Sequence, residues 1–355
     1  MRTVRFPAPS KEYDVIIGNG AVSVLGTEVK KLCPGAVKAL IVSETNVAPL
    51  YLERVRDELG KAGIEATDYV FEAGERSKGI EAIAEMWNKM AEAGFTRTDI
   101  VIGLGGGVTT DMAGFAAATF LRGISVIQIP TSLLAMVDAS IGGKTGIDIA
   151  KGKNQVGAFW QPSVVIEDIS FLKTLPDEVF TEGMGEVIKH AFIVDPVLLE
   201  KLEKANGNIR DDEALLEEIV AMNVSDKAGV VREDENDNGR RQILNYGHTI
   251  GHVIERDSGY TKPHGICVAK GMGIMIDACV RNGSLDDKDA ERMKNLIRLY
   301  KLPVSDDITP EAIVDGAMND KKKRGGTISV ILVNKIGEAE IKKMTPEEFM
   351  RFLKK

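Results

Sequence analysis

The first half of this 355-residue chain alternates continuous apolar runs with stretches of helical spacing. Helical patterns near 49–62 and 79–93 separate the runs, which cover 13–17, 37–42, a segment before Glu72, 99–104 and 125–130. A strand that is buried on both faces reads as an unbroken apolar run, and strands alternating with helices form parallel sheets. This order therefore predicts an α/β domain with a parallel sheet that helices cover on both faces.

Helical periodicity dominates from Asp177 to about Leu299, with long patterns at 213–231 and 265–280. A hairpin signal follows at 328–341, and a last helix is predicted from Thr345 as N-cap, with proline at the first helical position. A chain of 355 residues is long enough for two domains. We therefore expect an α/β domain at 1–176 and a mainly α-helical domain at 177–355.

Composition excludes several classes of protein. The chain is 44% hydrophobic and 28% charged, as soluble globular proteins are. An aromatic content of 5% and a net charge of −8 argue against nucleic-acid binding. The few scattered cysteines (Cys33, Cys267, Cys279) favour a reducing compartment. No signal-peptide core and no apolar window of membrane-spanning length are apparent. We expect a cytoplasmic protein with neither a nucleic-acid nor a membrane partner.

A glycine-rich turn, Gly103-Leu-Gly-Gly-Gly-Val-Thr-Thr-Asp111, follows one predicted strand and opens a helix. Glycines allow close approach of the backbone to a pyrophosphate, and a helix N-terminus offers free N–H groups. The spacing is not a strict G-x-G-x-x-G, and the alternative is an ordinary tight turn between strand and helix. We favour a dinucleotide site, in which Glu44 could accept hydrogen bonds from a ribose.

Three of the four histidines, His248, His252 and His264, lie within 17 residues. His248 and His252 are four residues apart and share one helix face. A catalytic zinc commonly has three protein ligands and an open position. The residues alone suggest both of these histidines plus His264 or Glu186. Cys267 is a further possible ligand, although a small buried residue is the favoured interpretation.

Lysines recur beside glycines or polar residues, at Lys144, Lys153, Lys189 and 321–323, and Arg122 and Arg241 add two guanidinium groups. Each alone is best explained as a solvated surface charge, except that the glycines beside Lys144 and Lys153 favour close approach of the backbone to an anion. Together with a dinucleotide turn and a metal cluster, they suggest redox chemistry on a phosphorylated acid.

At this point the chain resembles the 3-dehydroquinate synthase family of sugar-phosphate cyclases. The resemblance runs through nearly the whole chain, and it is carried by the segments 105–115, 130–148, Lys153-Asn154, 183–189, 244–252 and His264-Gly265. It implies a Rossmann-like NAD-binding domain, a mainly helical C-terminal domain and a homodimer. It also implies a carbon–oxygen lyase of the shikimate pathway that converts 3-deoxy-D-arabino-heptulosonate 7-phosphate to 3-dehydroquinate and phosphate. The implied steps are transient oxidation by NAD, phosphate β-elimination, reduction, ring opening and intramolecular aldol closure.

The resemblance also implies roles for individual residues. The implied metal ligands are Glu186, His248 and His264, holding zinc or cobalt, with His252 near the substrate phosphate instead. The implied NAD site comprises Glu44, Asn46, Glu75, Lys78, Gly106, Gly107, Asp111, Thr131, Ser132, Asp138, Lys144 and Lys153. The implied substrate site comprises Arg122 (from across the dimer), Asp138, Lys144, Asn154, Lys189, Lys227, Arg241, Asn245, His252, His264 and Lys322 or Lys321. The implied catalytic set is Lys144, Lys153, Asn154, Lys189, Lys227, Asp237, Arg241, Asn245 and His252.

Three residues depart from the family pattern: Asp237 replaces the usual glutamate, Gly185 a common alanine, and Ser132 a usual threonine. None changes the charge of a ligand. The alternatives are another sugar-phosphate cyclase, a metal-dependent alcohol or glycerol-phosphate dehydrogenase, and a non-catalytic regulator. The cationic set of Lys144, Lys227 and Arg241 fits an acidic substrate and favours dehydroquinate formation.

Overall fold

The computed structural model describes residues 1–321 and 326–355, without the side chains of 319–321. The chain forms two compact units. The first combines Met1–Leu175 with Asp212–Glu235, and the second combines Pro176–Asp211 with Asn236–Lys355. The assignment of domains to 1–176 and 177–355 remains a prediction, and the units differ from it in the placement of Asp212–Glu235.

The bounds of the regular elements follow in chain order. The strands are β1 (Arg2–Phe6), β2 (Tyr13–Gly18), β3 (Lys38–Glu44), β4 (Glu65–Phe71), β5 (Ile100–Gly105), β6 (Ser125–Pro130), β7 (Lys144–Ile149), β8 (Gly152–Phe159), β9 (Val164–Asp168), β10 (Ile328–Lys335) and β11 (Glu338–Met344). The helices are α1 (Leu25–Leu32), α2 (Ala48–Lys61), α3 (Ile80–Glu92), α4 (Gly107–Thr119), α5 (Asp177–Ile193), α6 (Pro196–Ala205), α7 (Glu213–Glu233), α8 (His248–Asp257), α9 (His264–Arg281), α10 (Asp287–Leu299), α11 (Pro310–Lys321) and α12 (Pro346–Lys354).

A seven-stranded sheet in the order β1-β2-β9-β6-β5-β3-β4 organises the first unit. Successive residues of each strand point to opposite faces. Side chains such as Ile41 and Ile102 pack with α1 and α2, whereas Leu40 and Val101 pack with α3 and α4. The predicted parallel sheet with helices on both faces is confirmed, apart from β1, which pairs antiparallel to β2 at one edge.

The chain reverses its direction of travel across this sheet at β3. From β3 it continues to β4 on one side, and it then crosses to β5 on the other side of β3 and on to β6. Such a switch point opens a crevice at the carboxyl ends of the two strands, where doubly wound sheets bind ligands. Glu44 closes β3 and Gly105 closes β5, so both residues border this crevice.

Helix α7 packs with the first unit through polar contacts at both of its ends. Asn19 donates to Glu213 at 2.8 Å, and Arg2 pairs with Glu217 at 3.3 Å. Beyond the helix, Gln161 donates to Glu235 at 2.8 Å. Its buried apolar side chains, including Ile219 and Val224, complete the packing. A segment late in the sequence thus completes the first unit.

The second unit is mainly helical, as predicted, and α5, α8 and α9 pack together in it. The hairpin signal corresponds to β10 and β11, which pair antiparallel. The last helix begins as predicted: Thr345 accepts from the Glu348 N–H, and Glu348 accepts from the Thr345 N–H. Among the described residues, no helix has both the length and the apolar character that crossing a bilayer demands.

Candidate functional site

The glycine-rich turn joins β5 to α4 at the switch-point crevice. Gly106 is the N-cap, and α4 begins at Gly107, so the first N–H groups of this helix lie at the carboxyl end of the sheet. A side chain does not fit at Gly105, because its Cβ would lie 2.7 Å from the Thr109 Cβ. The Thr131 N–H donates to the Gly105 carbonyl at 2.9 Å and ties the turn to the end of β6. This geometry suits a bound pyrophosphate.

Acidic and polar residues follow the neighbouring strands at the same edge. The Glu44 carboxylate accepts from the Asn46 N–H at 2.7 Å just beyond β3. Beyond β6, the Ser132 Oγ accepts from the Ala135 N–H at 3.3 Å. The structure thus places several of the residues suggested for NAD at the carboxyl ends of adjacent strands: Glu44, Asn46, Gly106, Gly107, Thr131 and Ser132.

Lys78 is the centre of a polar cluster in the first unit. Its side chain is only 4% exposed, and its Nζ donates to Asp111 and to Asn154, each at 2.6 Å. Glu75 lies 3.4 Å from the Lys153 Nζ. Burial is the main cause that raises the pKa of Asp111 to about 6, although Lys78 opposes the shift. The cluster joins suggested NAD ligands to the suggested catalytic pair Lys153-Asn154.

Asp148 belongs to this cluster and was assigned no role from the sequence. Its carboxylate accepts from the Asn154 N–H, and its own N–H donates to the Lys78 carbonyl, each at 2.8 Å. These bonds hold Asn154 in a left-handed conformation with φ of 53°. Asp148 is the last residue of the segment 130–148, which carries part of the family resemblance. That position was the one sequence signal that could have indicated a role for Asp148.

The remaining suggested residues of the first unit include Asp138, Lys144, Lys227 and Arg122. Lys227, on α7, donates to the main-chain carbonyl of Asp138 at 2.7 Å and pairs with its carboxylate. Lys144 is exposed at the start of β7. Arg122 is exposed and has a φ of 69°.

Glu186 lies at the centre of the histidine cluster in the second unit. It is fully buried on α5, and its Oε1 is 3.4 Å from the His248 Nε2 and 3.7 Å from the His264 Nε2. Lys189 pairs with the other carboxylate oxygen. Within the described part of the chain, Oε1 has no hydrogen-bond donor. A buried carboxylate oxygen that faces two imidazole nitrogens suits a divalent cation.

The opposite nitrogens of both rings have their own acceptors. The His248 Nδ1 lies 3.2 Å from the Tyr246 carbonyl, and the His264 Nδ1 lies 3.2 Å from Glu255. An N–H at Nδ1 leaves the Nε2 lone pair of each ring towards Glu186. Burial, followed by the charge of Lys189, lowers the pKa of His248 well below its ordinary value, so that this ring is neutral as a metal ligand must be.

His252 is the exposed member of the cluster. One ligand atom from each of His248, His252 and His264 lies within 4.8 Å of the others, so proximity alone also permits a three-histidine site. The buried Glu186 Oε1 lies within 3.7 Å of the Nε2 atoms of both His248 and His264. The arrangement therefore favours Glu186 as the third ligand and leaves His252 beside the metal position.

Two glycines let α5 and α9 approach closely enough to bring Glu186 to His264. A Cβ at Gly185 would lie 2.7 Å from the Gly265 carbonyl oxygen, and one at Gly265 would lie 2.8 Å from the Glu182 carbonyl carbon. Cys267 is also buried on α9, and burial raises the pKa of its thiol to about 11. A thiol in that state is a poor metal ligand near neutral pH.

The other suggested residues of the second unit lie mostly before α8. Arg241 and Asn245 lie on a short 3₁₀ turn, Arg240–Asn245, and the Arg241 side chain is buried. Asp237 precedes this turn with a φ of 58°. Lys322 lies outside the described residues, and Lys321 is the last residue of α11.

A doubly wound sheet with a nucleotide-type turn, joined in one chain to a helical unit with a histidine–carboxylate cluster, is typical of enzymes that use a dinucleotide together with a divalent metal. Family models for the N-terminal and C-terminal parts of 3-dehydroquinate synthase match residues 68–182 and 183–323. A 3-dehydroquinate synthase of Clostridium acetobutylicum is 40% identical and covers 100% of this chain and 99% of its own length. The chain belongs to the 3-dehydroquinate synthase family.

Solved structures of two other cyclases share the fold. A 2-deoxy-scyllo-inosose synthase complexed with carbaglucose-6-phosphate, NAD⁺ and Co²⁺ has a TM-score of 0.89 at 22% identity and covers 99% of both chains. A 2-epi-5-epi-valiolone synthase of Streptomyces hygroscopicus subsp. jinggangensis, with NAD⁺ and Zn²⁺ bound, has a TM-score of 0.86 at 26% identity and covers 96% of this chain and 95% of its own. The predicted fold class is confirmed.

Proposed function

We propose that this enzyme converts 3-deoxy-D-arabino-heptulosonate 7-phosphate to 3-dehydroquinate and phosphate, with NAD and a divalent metal as cofactors. The observation that carries the proposal is the similarity to a 3-dehydroquinate synthase along the whole chain. Other cyclases share the fold at lower identity. The enzyme is a lyase-class cyclase, and the acidic substrate explains why so many of the suggested contacts are cationic.

The donor set of the second unit supports a metal site made of Glu186, His248 and His264. One carboxylate and two imidazoles are a common ligand set for catalytic zinc, and cobalt accepts the same donors. Metals of both kinds occur in the related structures. When bound, NAD accepts and returns a hydride, and the metal polarises substrate hydroxyl groups.

The chain's own residues bind and orient the two ligands. The NAD set is Glu44, Asn46, Glu75, Lys78, Gly106, Gly107, Asp111, Thr131, Ser132, Asp138, Lys144 and Lys153. The substrate set is Arg122, Asp138, Lys144, Asn154, Lys189, Lys227, Arg241, Asn245, His252, His264 and Lys321 or Lys322. Cationic and amide donors fit a carboxylate and a phosphate. Lys78 and Asp148 hold Asn154 in place for this role.

Departure of the phosphate needs charge stabilisation and one proton transfer. The exposed ring of His252, together with Arg241 and Lys144, is suited to stabilise the departing anion. The phosphate itself can take the proton from the neighbouring carbon, so a strong protein base is unnecessary. Asp237 and Lys153 complete the suggested catalytic set, which thus acts chiefly by positioning and electrostatics.

The proposal extends to assembly and location. By the resemblance to this family, the protein forms a homodimer in which Arg122 reaches the partner's substrate. The free cysteines support a reducing, cytoplasmic location.

The test is incubation of the purified protein with heptulosonate phosphate, Zn²⁺ and NAD⁺ in an amount far below that of the substrate. We expect phosphate release and 3-dehydroquinate in equal amounts, without net NADH. A dehydrogenase would instead produce NADH in proportion to the substrate oxidised. That result, or the absence of phosphate release, would contradict the proposal.

A further inference from the structure

We propose that Glu255 is a positioning residue of the metal centre, which orients His264 and fixes its proton on Nδ1. The inference rests on the proposed metal site and adds a residue to it that the sequence did not single out. Glu255 is not a metal ligand in this proposal. It acts only through the ring of His264.

Glu255 lies on the same face of helix α8 as two of the clustered histidines. His248, His252 and Glu255 follow one another at spacings of four and three residues, which places them in line along a helix. Glu255 is buried, with a side chain that is 8% exposed. A buried carboxylate requires partners, and the one that faces the cluster is the His264 Nδ1 at 3.2 Å. Helix α8 thus holds the ring of a ligand that belongs to α9.

The direction of the hydrogen bond decides which nitrogen is available to a metal. An ionised carboxylate only accepts, so the Nδ1 must carry the proton, and in the neutral ring the lone pair is then on the Nε2. That Nε2 is the atom 3.7 Å from the Glu186 Oε1. In the same way, the Nδ1 of His248 faces the main-chain carbonyl of Tyr246. The acceptor for His248 is a main-chain carbonyl, whereas the acceptor for His264 is the side chain of Glu255. Of these two acceptors, only Glu255 can be removed by substitution.

Glu182 provides a matched control on the neighbouring helix. It lies on α5 one turn before Glu186, and its Oε1 accepts from the Gly265 N–H at 3.4 Å. Its charge acts on His264, but its carboxylate accepts from the main chain at Gly265 and not from the ring. Glu182→Gln therefore removes a nearby negative charge and leaves the ring contact intact.

The experiment measures Zn²⁺ affinity of the full-length protein by competition with a chelator, and the visible spectrum of the Co²⁺-loaded protein. Loss of a carboxylate behind a ligating histidine typically weakens metal binding by about 10- to 100-fold. We expect a loss in that range for Glu255→Ala. Glu255→Gln retains an acceptor without the charge, so we expect a smaller loss, and Glu182→Gln should stay within about threefold. The Co²⁺ spectrum should change for Glu255→Ala and remain that of the unaltered protein for Glu182→Gln.

Several outcomes overturn the inference. One is a Zn²⁺ affinity of Glu255→Ala within about twofold of the unaltered protein, and another is an equal loss for Glu255→Ala and Glu182→Gln. If the unaltered protein binds no Zn²⁺, both the inference and the proposed metal site fail. If the unaltered protein binds Zn²⁺ and the Glu255 variants bind it with the same affinity, the proposed metal site stands and only the inference about Glu255 fails. Thermal unfolding of the metal-free proteins checks that each variant is folded.

Discussion

A single carboxylate oxygen, Oε1 of Glu186, separates the two ligand sets that the histidine cluster permits. It faces His248 and His264, and it has no donor among the residues that the structure describes. His252, on the same helix as His248, is exposed. The two histidines of α8 should therefore respond differently to the same substitution.

We expect His248→Ala to lose bound metal and turnover together, while much of the fold remains. His252→Ala should keep its metal but lose turnover by about 100-fold or more, as removal of a group that assists proton or anion transfer does. Metal content by mass spectrometry and phosphate release would be measured on both variants. Loss of metal from His252→Ala would instead support the three-histidine site.

Glu167 supplies a pH-dependent contribution to stability. It is fully buried on β9, neither carboxylate oxygen has a partner among the described residues, and burial raises its pKa well above the ordinary value of 4.5. The folded state keeps the proton, whereas the unfolded chain releases it above that value. The free energy of unfolding therefore decreases by up to about 1.4 kcal/mol per pH unit as the pH rises from the unfolded-state pKa of Glu167 towards its folded-state pKa.

Replacing Glu167 with methionine removes this dependence. We expect Glu167→Met to gain thermal stability over the unaltered protein at pH 8, and to gain less at pH 5. Thermal unfolding of both proteins at the two pH values tests this. A stability difference that is equal at pH 5 and pH 8 would show that Glu167 does not titrate in this way.

The sequence revealed residues whose chemistry is rare in this chain, and it missed those that act through others. Histidines are few, so their clustering was visible, and the structure brings three of them together. Asp148 and Glu255 are ordinary acidic residues among many. Their roles depend on contacts with Asn154 and His264, which only the folded backbone determines.

Among the elements, α5 and α9 determine whether the metal ligands meet, because Gly185 and Gly265 permit their close approach. We expect Gly265→Ala to push these helices apart, to destabilise the protein and to weaken Zn²⁺ binding. Gly229→Ala, on α7, is the matched control, since a Cβ there meets nothing within 4 Å. Alanine at this helical position should stabilise by about 0.5–1 kcal/mol.

Thermal unfolding and chelator competition on the two variants distinguish the steric effect from the general effect of alanine. If Gly265→Ala and Gly229→Ala had the same unfolding temperature and the same Zn²⁺ affinity, that result would contradict the close approach of α5 to α9.

Elements with a strong apolar period were predictable from the sequence, and so were the edge strand β4 and the hairpin of β10 and β11, whereas β7 and β8 were not. Strands β3, β5 and β6 are buried on both faces and gave unbroken apolar runs. The exposed strand β8 is rich in polar residues and glycine, and the sequence predicted no strand at Lys144 or Lys153. These residues in fact lie on paired strands, because backbone pairing does not require an apolar pattern.

For the whole molecule, the unexpected feature is that α7 completes the first unit. Helical spacing predicted the helix, but spacing does not show which surface a helix covers. In the structure α7 contacts β1 and β2, and Glu217 pairs with Arg2. The sequence boundary near residue 176 could not anticipate this return of the chain.

We expect hydrogen exchange of the full chain in increasing denaturant to group the amides of α7 with those of β2. Amides that open in one cooperative unit converge on one opening free energy. The amides of α9 should follow a separate course. If the α7 amides instead open together with those of α9, the assignment of α7 to the first unit is wrong.

The return of α7 also bears on how the protein is made. A ribosome releases the sheet of the first unit long before it releases residues 213–233, because Pro176–Asp211 must be synthesised in between. At about 5–20 residues per second, the nascent sheet waits for seconds with the apolar surface that α7 will cover still open to solvent. A chaperone would bind the nascent chain during this interval. The rate of translation through residues 176–235 would therefore affect the yield of folded protein.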